Sequence, residues 1–302
     1  MSLHLRPRCW AHILSLSLFS GLLYGQATTS LSGRISDSTG ASIPDVIVSL
    51  EMASQGFSRK TLANGTGVYQ FLQVPPGTYV VKAEKAGFSA LMQSNVLLQV
   101  NLPATLDLKL EVGNVSQTIA IEAEAPPINT QDASIGNAFN ETQVRQLPLL
   151  TRNVVELLSL QAGVAQTGEV LGARKDQNNV VLDGADVNDN QSAGAFTAVL
   201  PVPLDSVQEF RVTVGGQGAN MGRSSGGQVS LVTKSGSNQF HGSAYEFHRN
   251  TVTSANNWFS NRAGIARESL IRNQFGASLG GPIVKDRVFF FFNYENRIDA
   301  SG

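Results

Sequence analysis

Met221–Tyr245 reads MGRSSGGQVSLVTKSGSNQFHGSAY, two short runs of alternating residues joined by glycine- and serine-rich turns. A period of two is what a half-buried strand requires, and glycine and serine supply the turn conformations between strands. No charged group in the stretch is paired for acid–base work or grouped for metal binding. Several clusters of this kind behind an export signal predict a cell-envelope protein whose function lies in its architecture.

The chain has 302 residues, 42% of them apolar and only 15% charged, with 29 glycines. That length predicts two or three domains at ~100–200 residues each. A charged share below the usual ~25% points to β-rich structure with frequent turns. The net charge of −1 supplies no basic field for counterion release, so nucleic acid is excluded as a partner. Residues 1–27 read as a secretory signal peptide. Arg6 and Arg8 form the positive end, Ala11–Tyr24 the apolar run, and Gly25-Gln26-Ala27 the cleavage site. The apolar run is too short for the ~20 residues that cross a bilayer as a helix. The only cysteine, Cys9, precedes that run, so the mature chain has no disulfide, thiolate ligand or cysteine nucleophile.

Residues 28–112 read as an all-β unit. Val46, Val48 and Leu50 share one strand face, and Leu106, Leu108, Leu110 and Val112 form a second stripe against charged neighbours. Ser38-Thr39-Gly40, Asn64-Gly65, Pro75-Pro76-Gly77 and Ala86-Gly87 mark turns between them. Strands about ten residues apart with such punctuation predict a sandwich. The run GVYQFLQVPPGTYVVKA (67–83), closing at Ala86-Gly87-Phe88, resembles the carboxypeptidase regulatory-like repeat. That resemblance implies a transthyretin-like sandwich with a carbohydrate-binding-like fold. Tyr69, Phe71 and Tyr79 are expected in its core rather than on a sugar-stacking surface.

Residues 113–128 form a linker. Within it Gln117–Ala123 alternates β-branched and small residues, which suits either a last edge strand of the sandwich or an extended segment that pairs with a partner by strand addition. Residues 129–235 mix helix and strand. Asn140 opens a helix with an acidic first turn that stops before Pro148, and Val154–Leu160 is expected to form a second. Asn179–Leu182 and Val207–Val214 read as strands, the first running into the Asp183-Gly184 turn. Residues 236–302 read as barrel. Phe275, Ala277 and Leu279 face away from Gln274, Gly276, Ser278 and Gly280, the apolar-out, polar-in period of a membrane strand. Val288, Phe290, Phe292 and Tyr294 share another apolar face. After Ser235 there is room for about three strands of ~9–11 residues, too few to close a barrel, so a fragment of a longer protein is expected.

LPLLTRNVVELLSLQAGV (147–164), NNVVLDGADVND (178–189), VPLDSVQEFRVTVGGQGANMGRSSGGQVSLVTKSGSNQFHGSAYEFHRN (202–250) and IRNQFGASLGGPIVKDRVFFFFNYE (271–295) together resemble TonB-dependent outer-membrane receptors, most closely the Oar-like branch. The resemblance implies an α+β plug at 129–235 and the first strands of an outer-membrane β-barrel at 236–302. It also implies plug-gated uptake of an unidentified ligand, with carbohydrate and peptide as candidate classes. A TonB-type energising protein of the inner membrane and outer-membrane lipid are the implied partners, with the sandwich and plug on the periplasmic side. Thr118, Ile119, Ala120 and Ile121 are the candidate TonB box, and Asp183, Gly184, Glu209, Arg211, Gly226 and Gly227 the plug motif. Where the family reads Leu-Pro-Leu-Asn-Gly-Arg-Asn, this chain has Leu149-Leu150-Thr151-Arg152-Asn153 after Leu147-Pro148, which lacks the Asn-Gly turn. A rival class is a non-transporting outer-membrane structural, adhesion or carbohydrate-binding protein.

Three chemistries are weighed against this. Gly222-Arg223-Ser224-Ser225-Gly226 matches G-x-S-x-G, but a strand follows instead of a helix, and His241 and His248 fall on barrel-like strands. Asp183, Asp186 and Asp189 with Asn188 and Asn190 fit turn chemistry better than a calcium loop. His241 and His248, seven apart, point to opposite strand faces and do not make a zinc pair. No enzyme, cofactor or metal is expected.

Overall fold

The structure is a computed structural model that describes residues 27–113, 118–122, 128–146, 152, 154, 161–165, 167–189, 191, 198–199, 202–216, 218, 222 and 225–301. The signal peptide and the expected helix at Val154–Leu160 lie outside the described residues, apart from Ala27 and Val154.

Strands β1 (Thr29–Ser36), β2 (Ile47–Met52), β3 (Phe57–Leu62), β4 (Val68–Val74), β5 (Gly77–Glu84), β6 (Ala90–Leu98), β7 (Ala104–Thr105), β8 (Leu108–Lys109) and β9 (Thr118–Glu122) make two facing sheets. One orders β4-β1-β7 with β8 also on β1, and the other β3-β2-β5-β6-β9. Val46, Val48, Leu50, Leu31, Ile35, Val81 and Leu98 fill the space between them. Tyr69, Phe71 and Tyr79 are buried there too, and the two phenol hydroxyls donate to Leu106 O and Pro75 O at 2.7 Å. Each buried O–H thus has a partner, as an apolar interior requires. Burial pushes both phenols well above their ordinary pKa. The turns form where the sequence marks them: Asp37 Oδ1 accepts the Thr39 and Ala41 amides, and Asn64 Oδ1 those of Thr66 and Val68.

One stripe differs from expectation. Leu108 and Leu110 are buried, but Val112 is 78% exposed, and the 106–112 run pairs with β1 only in short pieces. Asp107 accepts the Arg34 amide with its side chain at 2.8 Å, which interrupts the ladder. β1 ends at Ser36, which accepts the Leu110 amide, and Val112 instead bridges Phe88 in an isolated pairing that leaves its side chain exposed.

The middle unit contains β10 (Ile135–Asn140), α1 (Glu141–Gln146), β11 (Asn179–Leu182), β12 (Ala185–Asp186), β13 (Val207–Gly215) and β14 (Gln228–Thr233). Its sheet orders β10-β13-β14-β11-β12, with β11 and β14 parallel. Asn140 caps α1 reciprocally with Gln143: Gln143 N donates to Asn140 Oδ1 and Asn140 N to Gln143 Oε1. Phe210, Val212, Val229 and Leu231 pack with Val144 into a core that shares no member with the sandwich core.

The last unit is β15 (His241–Asn250), a connection containing α2 (Trp258–Arg262), then β16 (Leu270–Val284) and β17 (Val288–Ser301), all antiparallel. Register pairs Leu279 with Phe292, Ala277 with Tyr294 and Gly281 with Phe290, which puts these residues on one face, while Phe289 and Phe291 fall on the other. Phe275, Leu279, Phe292 and Tyr294 are exposed on the first face, while Gln274 and Gly280 on the second are buried. The alternation read from the sequence is therefore the alternation in space.

Candidate functional site

The plug-motif residues gather on the middle sheet but do different work. Asp183 and Gly184 take positive φ (49° and 88°) to turn β11 into β12. Asp183 then accepts the Thr233 amide at 2.8 Å and its hydroxyl at 2.7 Å, which pins the turn to the end of β14. Gly226 N donates to Gln177 O and Gly227 N to Asn178 Oδ1. A Cβ on Gly226 would lie 2.6 Å from Asn178 Oδ1 and 2.8 Å from Gln177 O, so only glycine fits that approach. Asp186 and Asp189 accept the Asn188 and Gln191 amides, which is turn chemistry.

Glu209 and Arg211 lie together on the other face of the sheet. The register of β13 against β14 puts Glu209, Arg211 and Thr213 beside Val232, Ser230 and Gln228, and all of them are buried. Glu209 Oε1 accepts the Val100 amide of the sandwich at 3.0 Å. Burial pushes its carboxyl up to about 7, against the pull of that hydrogen bond and of Arg211. Burial likewise lowers the Arg211 guanidinium, against the attraction of Glu209 and Asp132, and Arg211 Nε has no hydrogen-bond partner among the described residues. Asn101 Nδ2 donates to Ser230 Oγ at 2.7 Å. Beside this contact lies a cleft of about 740 Å³ whose walls include Thr29, Asn101, Asp132, Asn179 and Gln228.

Arg152 was not singled out by sequence, and it connects two units. Its guanidinium pairs with buried Asp205, lies 4.0 Å over the Phe247 ring and 4.9 Å over that of Tyr245, and comes within 3.9 Å of Glu295. Glu295 in turn accepts the Tyr245 hydroxyl at 2.7 Å and Gln274 Nε2 at 2.8 Å. Tyr245, Gly276 and Glu295 are register neighbours across β15, β16 and β17. One cation of the middle unit thus touches the β15–β17 sheet on the face that carries Gln274, where ring faces and a carboxylate both favour it. Arg152 takes φ 55°, at the place where the family motif has its Asn-Gly-Arg turn, and that motif was the available signal.

Thr118–Ile121 fall in β9, which runs parallel to β6 in the register Leu91 to Ile119 and Gln93 to Ile121. Ile119 packs against the sandwich core and Ile121 is exposed. β9 ends its sheet, so one of its edges faces away from β6.

Residues 30–111 match the carboxypeptidase regulatory-like domain, and residues 232–302 match an outer membrane beta barrel domain. The chain is 27% identical over 305 residues to the TonB-dependent transporter Oar of Myxococcus xanthus, an alignment covering 91% of this chain and 28% of that protein. Among solved structures it is similar to the siderophore receptor PirA of Pseudomonas aeruginosa, with 19% identity, a TM-score of 0.40, and coverage of 55% of this chain and 27% of that one. The PirA of Acinetobacter baumannii gives 17% identity, a TM-score of 0.39, and coverage of 56% and 25%. The chain therefore spans about a quarter of the length of the relatives it matches.

Proposed function

We propose that this chain belongs with the Oar-like TonB-dependent outer-membrane receptors and supplies the gated end of a transporter. In this reading residues 129–235 are a plug that occludes a barrel begun by residues 236–302, and residues 28–112 are a periplasmic sandwich. The observation that carries it is the seating of Arg152 against Tyr245, Phe247 and Glu295. The plug meets the barrel wall through a cation, ring faces and a carboxylate, and among the described residues no apolar cluster joins them. A stopper that must move needs such a contact, because water can replace its hydrogen bonds when it opens.

Orientation follows from the connections. A short turn at Lys285–Arg287 joins β16 to β17, whereas residues 251–269 join β15 to β16. Outer-membrane barrels keep short turns on the periplasmic side and long loops outside. The sandwich lies at the short-turn end, where Asn238 donates to both Ala53 O and Asp286 Oδ1, which supports a periplasmic sandwich. We assign the outer edge of β9, with Thr118, Ile119, Ala120 and Ile121, as the strand offered to a TonB-type partner. The ligand class is carbohydrate or peptide, and the reading assigns the chain no reaction.

The test is capture of the periplasmic domain of the energising partner by the full-length protein. Successive amides of a strand point to opposite edges, so proline at one of Ile119 and Ala120 removes an outward donor. Capture should fall for one of these proline variants and persist for Ile119→Ala. Equal capture by both proline variants and the wild type would refute the assignment of β9.

A further inference from the structure

The sequence of β13, VQEFRVTVG, reads as an ordinary two-faced strand with its polar side in water. In the structure that polar side is dry. Glu209, Arg211, Thr213, Gln228 and Ser230 are each at most 8% exposed. The cover that bonds to them is a turn of the sandwich, Gln99–Leu102, built on its own bonds from Asn101 N to Thr28 O and Leu102 N to Gln99 O. Asn101 holds φ 50° at its tip. From this turn the Val100 amide reaches Glu209 and the Asn101 side chain reaches Ser230.

We propose that the sandwich is an intramolecular partner of the plug, docked by its Gln99–Leu102 turn onto the polar face of β13 and β14, and that it must lift away before that sheet can rearrange. Further bonds hold the same docked position, among them Gln131 Nε2 to Ser32 Oγ at 2.6 Å. Gln55 Nε2 donates to Ser235 Oγ at 2.6 Å, where the plug runs out toward β15. Asn238 N donates to Ser54 O at 2.8 Å, and its side chain reaches the β16–β17 turn at Asp286. Every one of these contacts is a hydrogen bond, and the two hydrophobic cores remain separate. Separation would expose polar groups that water can satisfy and would leave both cores intact, which is the physical signature of a releasable domain contact. The open cleft beside the turn gives water a route to it. This inference extends the transport reading to the sandwich, but its test reads docking alone and needs neither ligand nor energising partner.

The measurement is hydrogen exchange at the Val100 amide in the full-length protein in detergent micelles. Glu209→Ala removes the acceptor and should speed Val100 exchange by about tenfold or more. Glu209→Gln keeps an acceptor oxygen and should stay near the wild-type rate. Amides of β5 should be unchanged in all three, showing an intact sandwich. Unchanged Val100 exchange in Glu209→Ala would overturn the proposal, because the sandwich alone would then shield it. As a check that does not depend on losing a buried charge, the pair Asn101→Cys with Ser230→Cys should form a disulfide under mild oxidation. Failure of that pair to cross-link in a folded protein would also overturn it.

Discussion

Glu209 allows a quantitative test of how the plug responds to pH. The perturbation is Glu209→Gln in the full-length receptor. In the folded chain burial raises this carboxyl to about 7, whereas an unperturbed glutamate titrates near 4.5. The folded state therefore binds the proton more tightly than the unfolded state. The stabilising contribution is complete below 4.5, declines across the interval, and is lost as pH rises through 7. At about 1.4 kcal/mol per pH unit that interval corresponds to roughly 3 kcal/mol. Glutamine does not titrate, so the variant should lack this slope. Its absolute level will also fall, because Arg211 keeps its buried charge without the attraction of Glu209; the slope is the readout. The assay is hydrogen exchange of β13 and β14 amides at pH 5, 6, 7 and 8, corrected for intrinsic rates. A wild-type slope equal to that of Glu209→Gln would refute the account of a desolvated carboxyl on a covered face.

Other expectations follow from the same geometry. Arg152→Ala leaves buried Asp205 with the more distant Arg145, 3.7 Å away, and should cost about 1–3 kcal/mol, seen as faster proteolysis of the plug in the assembled receptor, with no protection regained in Arg152→Ser. Gly226→Ala drives a Cβ against Asn178 and the Gln177 carbonyl and should cost about 1–3 kcal/mol, read as a lower yield of folded protein in the outer membrane. In the sandwich, Leu108→Ala should lower stability by about 2–5 kcal/mol and Val112→Ala by less than about 0.5, since one is buried and the other exposed; thermal denaturation followed by circular dichroism of residues 28–112 compares them.

Much of this fold is legible in single residues. Tyr69, Phe71 and Tyr79 around Pro75-Pro76-Gly77 specify core and turn at once, because each aromatic must be buried and the glycine holds φ 156°. Phe275, Leu279, Phe292 and Tyr294 announce an apolar side by their two-residue spacing, and the strand register shows that they share it. Val112 was misjudged because alternation predicts which side chains share a face, not where the neighbouring strand ends. The polar face of β13 was illegible for a related reason. Glu209, Arg211 and Thr213 look like a wet face, and nothing local says that Asn101, more than a hundred residues earlier, will cover it. Arg152 was hidden by its partners: Asp205, Phe247 and Glu295 converge on it from three separate stretches, and no spacing rule links them. The ambiguity at Thr118–Ile121 was real, since the same alternating strip pairs with β6 on one edge and leaves the other turned away.

The central claim is that the plug sheet is closed at rest and opened by an energised partner. Ser230 tests it most directly. It is buried beneath Asn101, and the mature part of the given sequence has no cysteine, so Ser230→Cys adds a thiol whose labelling is read against the unmodified protein. The measurement is labelling of that thiol in whole cells by a membrane-impermeant maleimide admitted to the periplasm, with and without the TonB-type protein. The account predicts labelling only when the partner is present and the inner membrane is energised. Equal labelling in cells that lack the partner would contradict it.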